Sequence, residues 1–259
     1  MGEPPPPATV TLWWLAIADV PPERLPSRLL AILDETERRT AERFVSSRDA
    51  HAYRCAHLLR RALLGTVGRA SAAHWRFARE GLGRPFVANP PTGTAWVVNL
   101  SHTDGMVAAV VADGCQVGVD LEAVERRGLS GDLAKRVCTP RELAALDGLA
   151  DDRAAWRRSF LGTWVRKEAV AKATGLGLGL DLRSFGVGAD TVMPETDVPE
   201  AIGSVADWLL EALDVGPEHL GCLAIHAPRR SVRIERRQLD AASLEEALTI
   251  GLKGTAPPA

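Results

Sequence analysis

The chain lacks the cysteine and hydrophobic patterns that mark secreted, zinc-binding or membrane-spanning proteins. Its four cysteines lie far apart, without a Cys-x-x-Cys pair or a Cys/His spacing suited to zinc. We therefore expect free thiols in a reducing compartment. The longest apolar runs are far shorter than the ~20 residues of a membrane helix. Residues 1–7 are acidic and proline-rich, unlike a secretory signal. A cytoplasmic protein without membrane association is expected.

The chain also lacks an excess of positive charge. Its 31 Lys and Arg residues are outnumbered by 33 Asp and Glu, for a formal net charge of −2. Because nucleic-acid-binding domains are usually basic, we expect no nucleic-acid partner. A local group of arginines still suffices for a small anionic ligand. Lysine is scarce, and two of the four lysines, Lys167 and Lys172, stand close together.

Strand-like and helix-like segments alternate along the chain, which predicts an α+β fold of two similar halves. We expect tails at 1–8 and 246–259, an N-terminal half at 9–116 and a C-terminal half at 117–245. The patterns predict strands over 9–20, 75–78, 85–87, 96–100, 106–112, 117–121, 184–187, 220–226 and 232–237. They predict helices within 26–64 and over 129–136, 140–149, 154–174 and 205–213.

Two carboxylates end a predicted strand in the middle of the chain. Asp120 and Glu122 are two positions apart, so a strand projects both side chains from the same face. Paired carboxylates suit a hard ion such as Mg²⁺, which is often held by one or two of them together with substrate phosphates. The alternative is an ordinary strand end that runs into a solvated acidic turn, since Glu125 follows.

A predicted helix carries a second group of candidate residues. Trp164, Glu168 and Lys172 are spaced by four, so they share one stripe of the helix. One interpretation is a Glu–Lys surface pair with the tryptophan as a core anchor. The other is functional: Glu168 adds a third carboxylate to Asp120 and Glu122, and Lys172 reaches a phosphate oxygen. The combination is more specific than either motif alone.

Together these motifs resemble a known family. The segment Gly118-Val-Asp-Leu-Glu122, followed by Trp164-Val-Arg-Lys-Glu-Ala-Val-Ala-Lys172, is similar to the 4'-phosphopantetheinyl transferases of the surfactin-synthetase-activating type. Asn99-Leu-Ser-His102 and Gly83-Arg-Pro85 resemble two further blocks of that family, in the right order. The residue at 84 is arginine where the family usually has lysine, which keeps the charge. The resemblance spans roughly residues 38–187.

The resemblance implies a function and a site. It implies transfer of the 4'-phosphopantetheine group of coenzyme A to a serine of an apo acyl or peptidyl carrier protein, with release of 3',5'-ADP. It implies two α/β halves related by a pseudo-twofold axis, with the active site in the cleft between them. Mg²⁺ is then held by Asp120, Glu122 and Glu168, and the catalytic residues are Glu168 and Lys172. The implied coenzyme A contacts are Arg39, Arg43, Arg48, Gly83, Arg84, Pro85, Ser101, His102 and Lys167.

Several alternatives stay open on the sequence alone. The base that deprotonates the serine is Glu168 or a metal-bound water. Lys167 touches a phosphate or pins its helix, and the three arginines at 39, 43 and 48 are not ranked. A rival binding module would hold a nucleotide without chemistry, and a nucleotide-using kinase would need a Gly-x-x-x-x-Gly-Lys-Ser/Thr loop, which the sequence lacks. The acceptor pathway is open, and we expect a monomer.

Overall fold

The computed structural model describes residues 6–80, 84–195 and 198–249, which form a mixed α/β structure. Its strands are Ala8–Ala16 (β1), Phe77–Glu80 (β2), Arg84–Val87 (β3), Trp96–Thr103 (β4), Met106–Asp113 (β5), Gln116–Ala123 (β6), Gly186–Val187 (β7), Val192–Met193 (β8), Trp208–Ala212 (β9), His219–His226 (β10) and Val232–Leu239 (β11). Its α-helices are Ser27–Leu30 (α1), Glu35–Glu42 (α2), Ser47–Val67 (α3), Gly131–Val137 (α4), Pro140–Asp147 (α5), Arg153–Thr174 (α6) and Ala241–Thr249 (α7).

A four-stranded sheet in the order β11-β1-β5-β4 forms the first layer, with α3 packed against β5. The strands predicted over 96–100 and 106–112 are confirmed as β4 and β5, which pair in antiparallel register and form a hairpin. The predicted boundary between the two halves at 116/117 does not hold for the last strand. Strand β11 lies in the predicted C-terminal half, but it returns to the first sheet and pairs in parallel with β1. The reason is hydrophobic: Leu239, Leu244 and Leu248 are buried in the core beneath α3.

A three-stranded antiparallel sheet in the order β6-β10-β9 forms the second layer, and α6 packs against β6 and β10. The predicted helix over 205–213 is wrong, because residues 208–212 form β9 and pair with β10. Trp208 and Leu210 are buried whereas Leu209 is exposed. This alternation is the period of a half-buried strand, and it prevailed over the helical propensity of the segment.

The expected tails differ from the structure at both ends. Ala8 is buried in β1, and residues 246–249 belong to α7, whose Leu248 is fully buried. The strand predicted over 184–187 is shorter, because Leu182–Ser184 forms a 3-10 turn before β7. None of the described helices is long and apolar enough to cross a membrane.

Side chains, rather than a backbone ladder, join the two sheets. Alternate residues of β4 present polar side chains to the backbone amides of β6, as residues two apart on a strand share a face. Asn99 Oδ1 accepts a hydrogen bond from the amide of residue 119 at 3.1 Å, Ser101 Oγ from that of residue 121 at 3.1 Å, and Thr103 Oγ1 from that of residue 123 at 3.1 Å. This polar seam places the end of β6 beside β4, where the candidate residues meet.

Helix α6 approaches β6 very closely at Gly118. A Cβ at this position would overlap the carbonyl oxygen of Ala169 and lie 2.6 Å from the amide nitrogen of Ala173. The helix begins at the N-cap Asp152, whose side chain accepts from a backbone amide, and ends at Gly175 with φ 80°. The missing side chain at Gly118 therefore lets the helix lie directly on the strand that carries the two carboxylates.

Candidate active site

The centre of the site is a contact between α6 and β6. Lys172 Nζ donates to Asp120 Oδ1 at 2.7 Å, to Ser101 Oγ at 3.2 Å and to the carbonyl of Val119 at 3.1 Å. Ser101 Oγ in turn donates to Asp120 Oδ1 at 3.0 Å. The structure thus brings together three of the predicted site residues, one from each of β4, β6 and α6, and the ammonium is held in place by three acceptors.

Glu168 lies one helical turn before Lys172 and faces the same carboxylate. It is half-buried, and burial raises the pKa of its carboxyl group. The negative charge of Asp120 raises this pKa further, while the charges of Lys172 and Arg126 oppose the rise. No hydrogen bond to the Glu168 carboxylate occurs within the described ranges. Burial and a like charge nearby thus make this carboxyl group hold a proton more readily than an exposed glutamate does.

The second carboxylate of β6 is occupied by other partners. Glu122 forms an ion pair with Arg126, and its Oε2 accepts a hydrogen bond from Thr103 Oγ1 at 3.3 Å. The guanidinium of Arg126 also lies over the ring of Trp164, 4.7 Å from its centroid. Trp164 therefore joins the site through a cation–π contact as well as through its packing in the core.

Two observations bear on whether these residues fit a metal ion. In residues 6–80, 84–195 and 198–249, no three His, Cys, Asp or Glu side chains are grouped so that they could hold a metal, and Lys172 and Arg126 pair with two of the carboxylates. On the other hand, Asp120 Oδ2 is buried without a hydrogen-bond partner, and the charge of Asp120 acts on Glu168. An unpartnered buried carboxylate oxygen is costly unless something cationic meets it, so the oxygen donors fit a hard divalent cation.

Lys167 does not belong to the site. Its side chain is fully buried, and Nζ donates to the carbonyls of Leu182 at 2.7 Å and Phe185 at 2.5 Å and pairs with Glu142 at 2.8 Å. The prediction that it contacts coenzyme A finds no support, because the ammonium is sealed from solvent inside the fold and paired with Glu142. These bonds favour the alternative that Lys167 pins its helix, since they tie α6 to the segment between α6 and β7.

A pocket of about 640 Å³ opens next to the site, between the start of α3 and the turn that joins β4 to β5. Arg48 and His102 line it together with Phe44, and Arg48 forms an ion pair with Asp104 at its edge. His102 is exposed; the surrounding protein and the charge of Lys172 lower the pKa of its imidazole. The pocket joins a cation, a titratable ring and an aromatic face, which suits a nucleotide.

The three arginines that the sequence suggests equally as coenzyme A contacts differ in their position relative to this pocket. Arg48 lines the pocket, whereas Arg39 pairs with Glu35 at 2.7 Å on the outside of α2. Arg43 is exposed at the end of α2 and does not line the pocket. Of the block at 83–85, Gly83 lies outside the described residues. Arg84 and Pro85 belong to β3; the side chain of Arg84 lies outside the described part of the structure, and Pro85 does not line the pocket.

Sequence reasoning missed three contributors to the site. Asn99 and Thr103 complete the polar seam on either side of Ser101, and their signal was the alternation of polar residues along a buried strand. Arg126 was missed because a basic residue after an acidic strand end looks like part of a solvated turn. The one available signal was the spacing of four between Glu122 and Arg126. That spacing predicts a contact only when both residues lie on a helix, and Glu122 lies on a strand.

A buried carboxylate beside an anchored lysine, next to a pocket lined by an arginine, suits the binding of a phosphorylated ligand. Comparison with protein families makes this specific. The family model of the 4'-phosphopantetheinyl transferase superfamily matches residues 116–214, and that of the 4'-phosphopantetheinyl transferase N-terminal region matches residues 21–114. The chain belongs to the 4'-phosphopantetheinyl transferase superfamily, whose members transfer phosphopantetheine from coenzyme A to carrier proteins.

Individual relatives agree with this assignment. The chain is 29% identical to a phosphopantetheinyl transferase of Thraustochytrium sp., over 85% of this chain and 80% of the relative. It is 30% identical to the 4'-phosphopantetheinyl transferase HetI of Nostoc sp., over 65% of this chain and 70% of the relative. It is 28% identical to the 4'-phosphopantetheinyl transferase Sfp of Bacillus subtilis, over 62% and 68%. Each match covers at least two thirds of the relative.

Proposed function

We propose that this chain is a Mg²⁺-dependent 4'-phosphopantetheinyl transferase that modifies a serine of an apo acyl or peptidyl carrier protein. The serine oxygen attacks the β-phosphorus of coenzyme A, and a new P–O bond forms. The bond from that phosphorus to the α-phosphate oxygen breaks, and 3',5'-ADP leaves with the electron pair. Phosphoryl transfer of this kind asks a protein mainly for positioning and charge neutralisation.

Asp120, Glu122 and Glu168 are the residues that would hold Mg²⁺. When bound, Mg²⁺ supplies positive charge that neutralises oxygens of the pyrophosphate. The observation that supports this site is the unpartnered, buried Asp120 Oδ2, together with the effect of the Asp120 charge on the half-buried Glu168. Lys172 is already anchored at the same place, so its ammonium needs little reorganisation to stabilise charge on the leaving phosphate.

Glu168 is the proposed acceptor of the serine proton. Its raised pKa supports this role, because a base works best when its pKa is near the operating pH. The carboxylate form is the active one, so transfer should be lost as the pH falls through this raised pKa, above the usual range of a glutamate. Binding a cation lowers the basicity of the same group, and the base role therefore calls for only loose metal contact.

The pocket beside the site is the proposed seat of coenzyme A. Arg48 at its rim offers a planar donor set for the 3'-phosphate, and His102 and Ser101 lie between the rim and Lys172 along β4. Phe44 supplies an aromatic face within the same pocket. This order of residues runs from the adenosine end of the ligand towards the reacting phosphorus.

The proposal extends to the subfamily, the relation of the two halves and the oligomeric state. We propose the surfactin-synthetase-activating type, on the motifs at 118–122 and 164–172. We also propose two related halves with the site in the cleft between them, since each sheet has one long helix packed on it, α3 on the first and α6 on the second. One chain then supplies both halves, which supports a monomer.

The test is the variant Glu168→Gln with an apo carrier protein, coenzyme A and Mg²⁺. Mass spectrometry of the carrier reports the added phosphopantetheine. We expect loss of transfer by at least about 100-fold with an unchanged melting temperature, in line with removal of a general base. Glu246→Gln, at an exposed position of α7, is the control and should keep full activity. Retained transfer by Glu168→Gln, or full activity of the wild type in excess EDTA, would contradict the proposal.

A further inference from the structure

One cation at the site has no place in the mechanism above. Arg126 follows β6 in a tight turn, in which its amide donates to the carbonyl of Ala123 at 3.0 Å. Its own carbonyl accepts a hydrogen bond from Arg157 at 2.8 Å. The backbone of Arg126 is thus fixed from two sides, and only its side chain is free to move.

The side chain of Arg126 has two contacts. It forms an ion pair with Glu122 and rests on the face of Trp164, 4.7 Å from the ring centroid. Its charge also reaches Glu168, whose pKa it lowers. About a third of the Arg126 side chain (35%) is exposed, against 12% for Glu122, so the guanidinium sits on the solvent side of the carboxylate.

The two cations of the site differ in how firmly they are held. Lys172 donates to a hydroxyl and a backbone carbonyl in addition to Asp120. It therefore stays in place when Asp120 also binds a metal ion. For the Arg126 guanidinium, Glu122 is the one polar acceptor in the part of the chain that the structure describes. Trp164 offers it a resting place that does not depend on Glu122, because a cation–π contact needs no hydrogen bond.

We propose that Arg126 is a built-in counter-cation that competes with the divalent metal for Glu122. This inference rests on the proposed metal site. While no metal is bound, the guanidinium neutralises Glu122 and occupies a carboxylate oxygen that a metal ion would need. Metal binding requires the guanidinium to give up Glu122 and stay on Trp164. Arg126 is therefore a positioning residue that sets the metal concentration at which the site fills.

The proposal is tested by metal binding rather than by turnover. Metal-free protein is titrated with Mn²⁺ without coenzyme A, and the electron paramagnetic resonance signal of free Mn²⁺ gives the dissociation constant. Arg126→Met keeps the aliphatic stem over Trp164 and removes the charge. We expect the dissociation constant of this variant to fall about fivefold, which is about 1 kcal/mol by the relation between affinity and free energy.

Two controls separate competition at Glu122 from general charge effects. Arg38→Met removes the same charge from an exposed pair with Glu35 on α2 and should leave the affinity unchanged. Arg126→Lys keeps a cation beside Glu122 and should bind Mn²⁺ within about twofold of the wild type. Thermal unfolding without metal verifies that each variant is folded, and Arg126→Lys carries the comparison with the wild type if Arg126→Met unfolds.

The outcomes are distinct. Tighter binding by Arg126→Met alone supports the inference. Equal or weaker binding by Arg126→Met, or tighter binding by Arg126→Lys, overturns it while leaving the proposed metal site intact. Absence of Mn²⁺ binding by the wild type would overturn the metal site and this inference together.

Discussion

Gly118 offers the most direct test of how the fold builds the site. The perturbation is Gly118→Ala, which adds a single methyl group between β6 and α6. In the structure that methyl group would overlap the carbonyl oxygen of Ala169 and lie 2.6 Å from the amide nitrogen of Ala173. Both obstacles are backbone atoms of a helix, so neither can move aside by changing a rotamer. The helix as a whole has to retreat.

The size of the effect follows from the distances. Ordinary contact begins near 3.4 Å, so α6 must move away by roughly 1 Å at Ala173. Overpacking of this kind costs about 1–3 kcal/mol of stability. The displacement also stretches the 2.7 Å bond between Lys172 Nζ and Asp120 Oδ1 towards the limit of a hydrogen bond. A misplacement of about 1 Å can lower the rate about 100-fold.

Two assays follow these effects separately. Thermal unfolding should show a melting temperature lower by roughly 5 °C, since 1 kcal/mol corresponds to about 2–4 °C for a chain of this size. Mass spectrometry of the carrier protein should show transfer reduced about 100-fold at a temperature where the variant is folded. Gly131→Ala is the matched control, because an added Cβ there meets nothing within 4 Å. Wild-type stability and transfer by Gly118→Ala would refute the reasoning.

Three further predictions concern residues outside the reacting centre. Lys167→Met should lower the free energy of unfolding by about 3 kcal/mol, because it leaves the largely buried Glu142 carboxylate without its ion-pair partner; urea unfolding measures this, and a raised KM for coenzyme A in the folded variant would contradict the structural role. Burial raises the pKa of Glu37, but His57 and two buried arginines outweigh it and lower that pKa to about 2. The ionised Glu37 carboxylate therefore contributes about 3 kcal/mol to the free energy of unfolding, which is fully present above pH 4.5 and is lost as the pH falls towards 2. A stability difference between wild type and Glu37→Gln that stays constant over this range would contradict this. Arg48→Ala should raise the KM for coenzyme A about tenfold while Arg39→Ala leaves it unchanged, and steady-state kinetics in which Arg39→Ala has the larger effect would reverse their ranking.

The centre of the site was predictable because it depends on local periodicity. Two residues on one face of a strand and three on one stripe of a helix are geometric consequences of the chain's own spacing. Their meeting was not a consequence of spacing. Their meeting depends on the close approach of α6 to β6 at Gly118. It was predicted from the resemblance to a known family and not from the geometry of the sequence.

Features that depend on long-range contacts were not predictable in the same way. Lys167 and Lys172 lie on the same helix, yet one is sealed against Glu142 and two carbonyls while the other faces Asp120. Only the packing of α6 decides which lysine meets the site. The segment 208–212 has helical composition but lies beside β10, and the backbone partners of that strand determined its conformation.

The parallel pairing of β11 with β1 has a consequence for synthesis. Residues 8–15 of β1 pair with residues 232–239, so the first and the last of the described strands to leave the ribosome are neighbours. The four-stranded sheet keeps an open edge along β1 for most of translation, and an unpaired edge is prone to association with other chains. Contacts of such large sequence separation also slow folding. The enzyme therefore completes its first sheet only after its second is already made, and a nascent chain that pauses before residue 232 exposes β1 for as long as it waits.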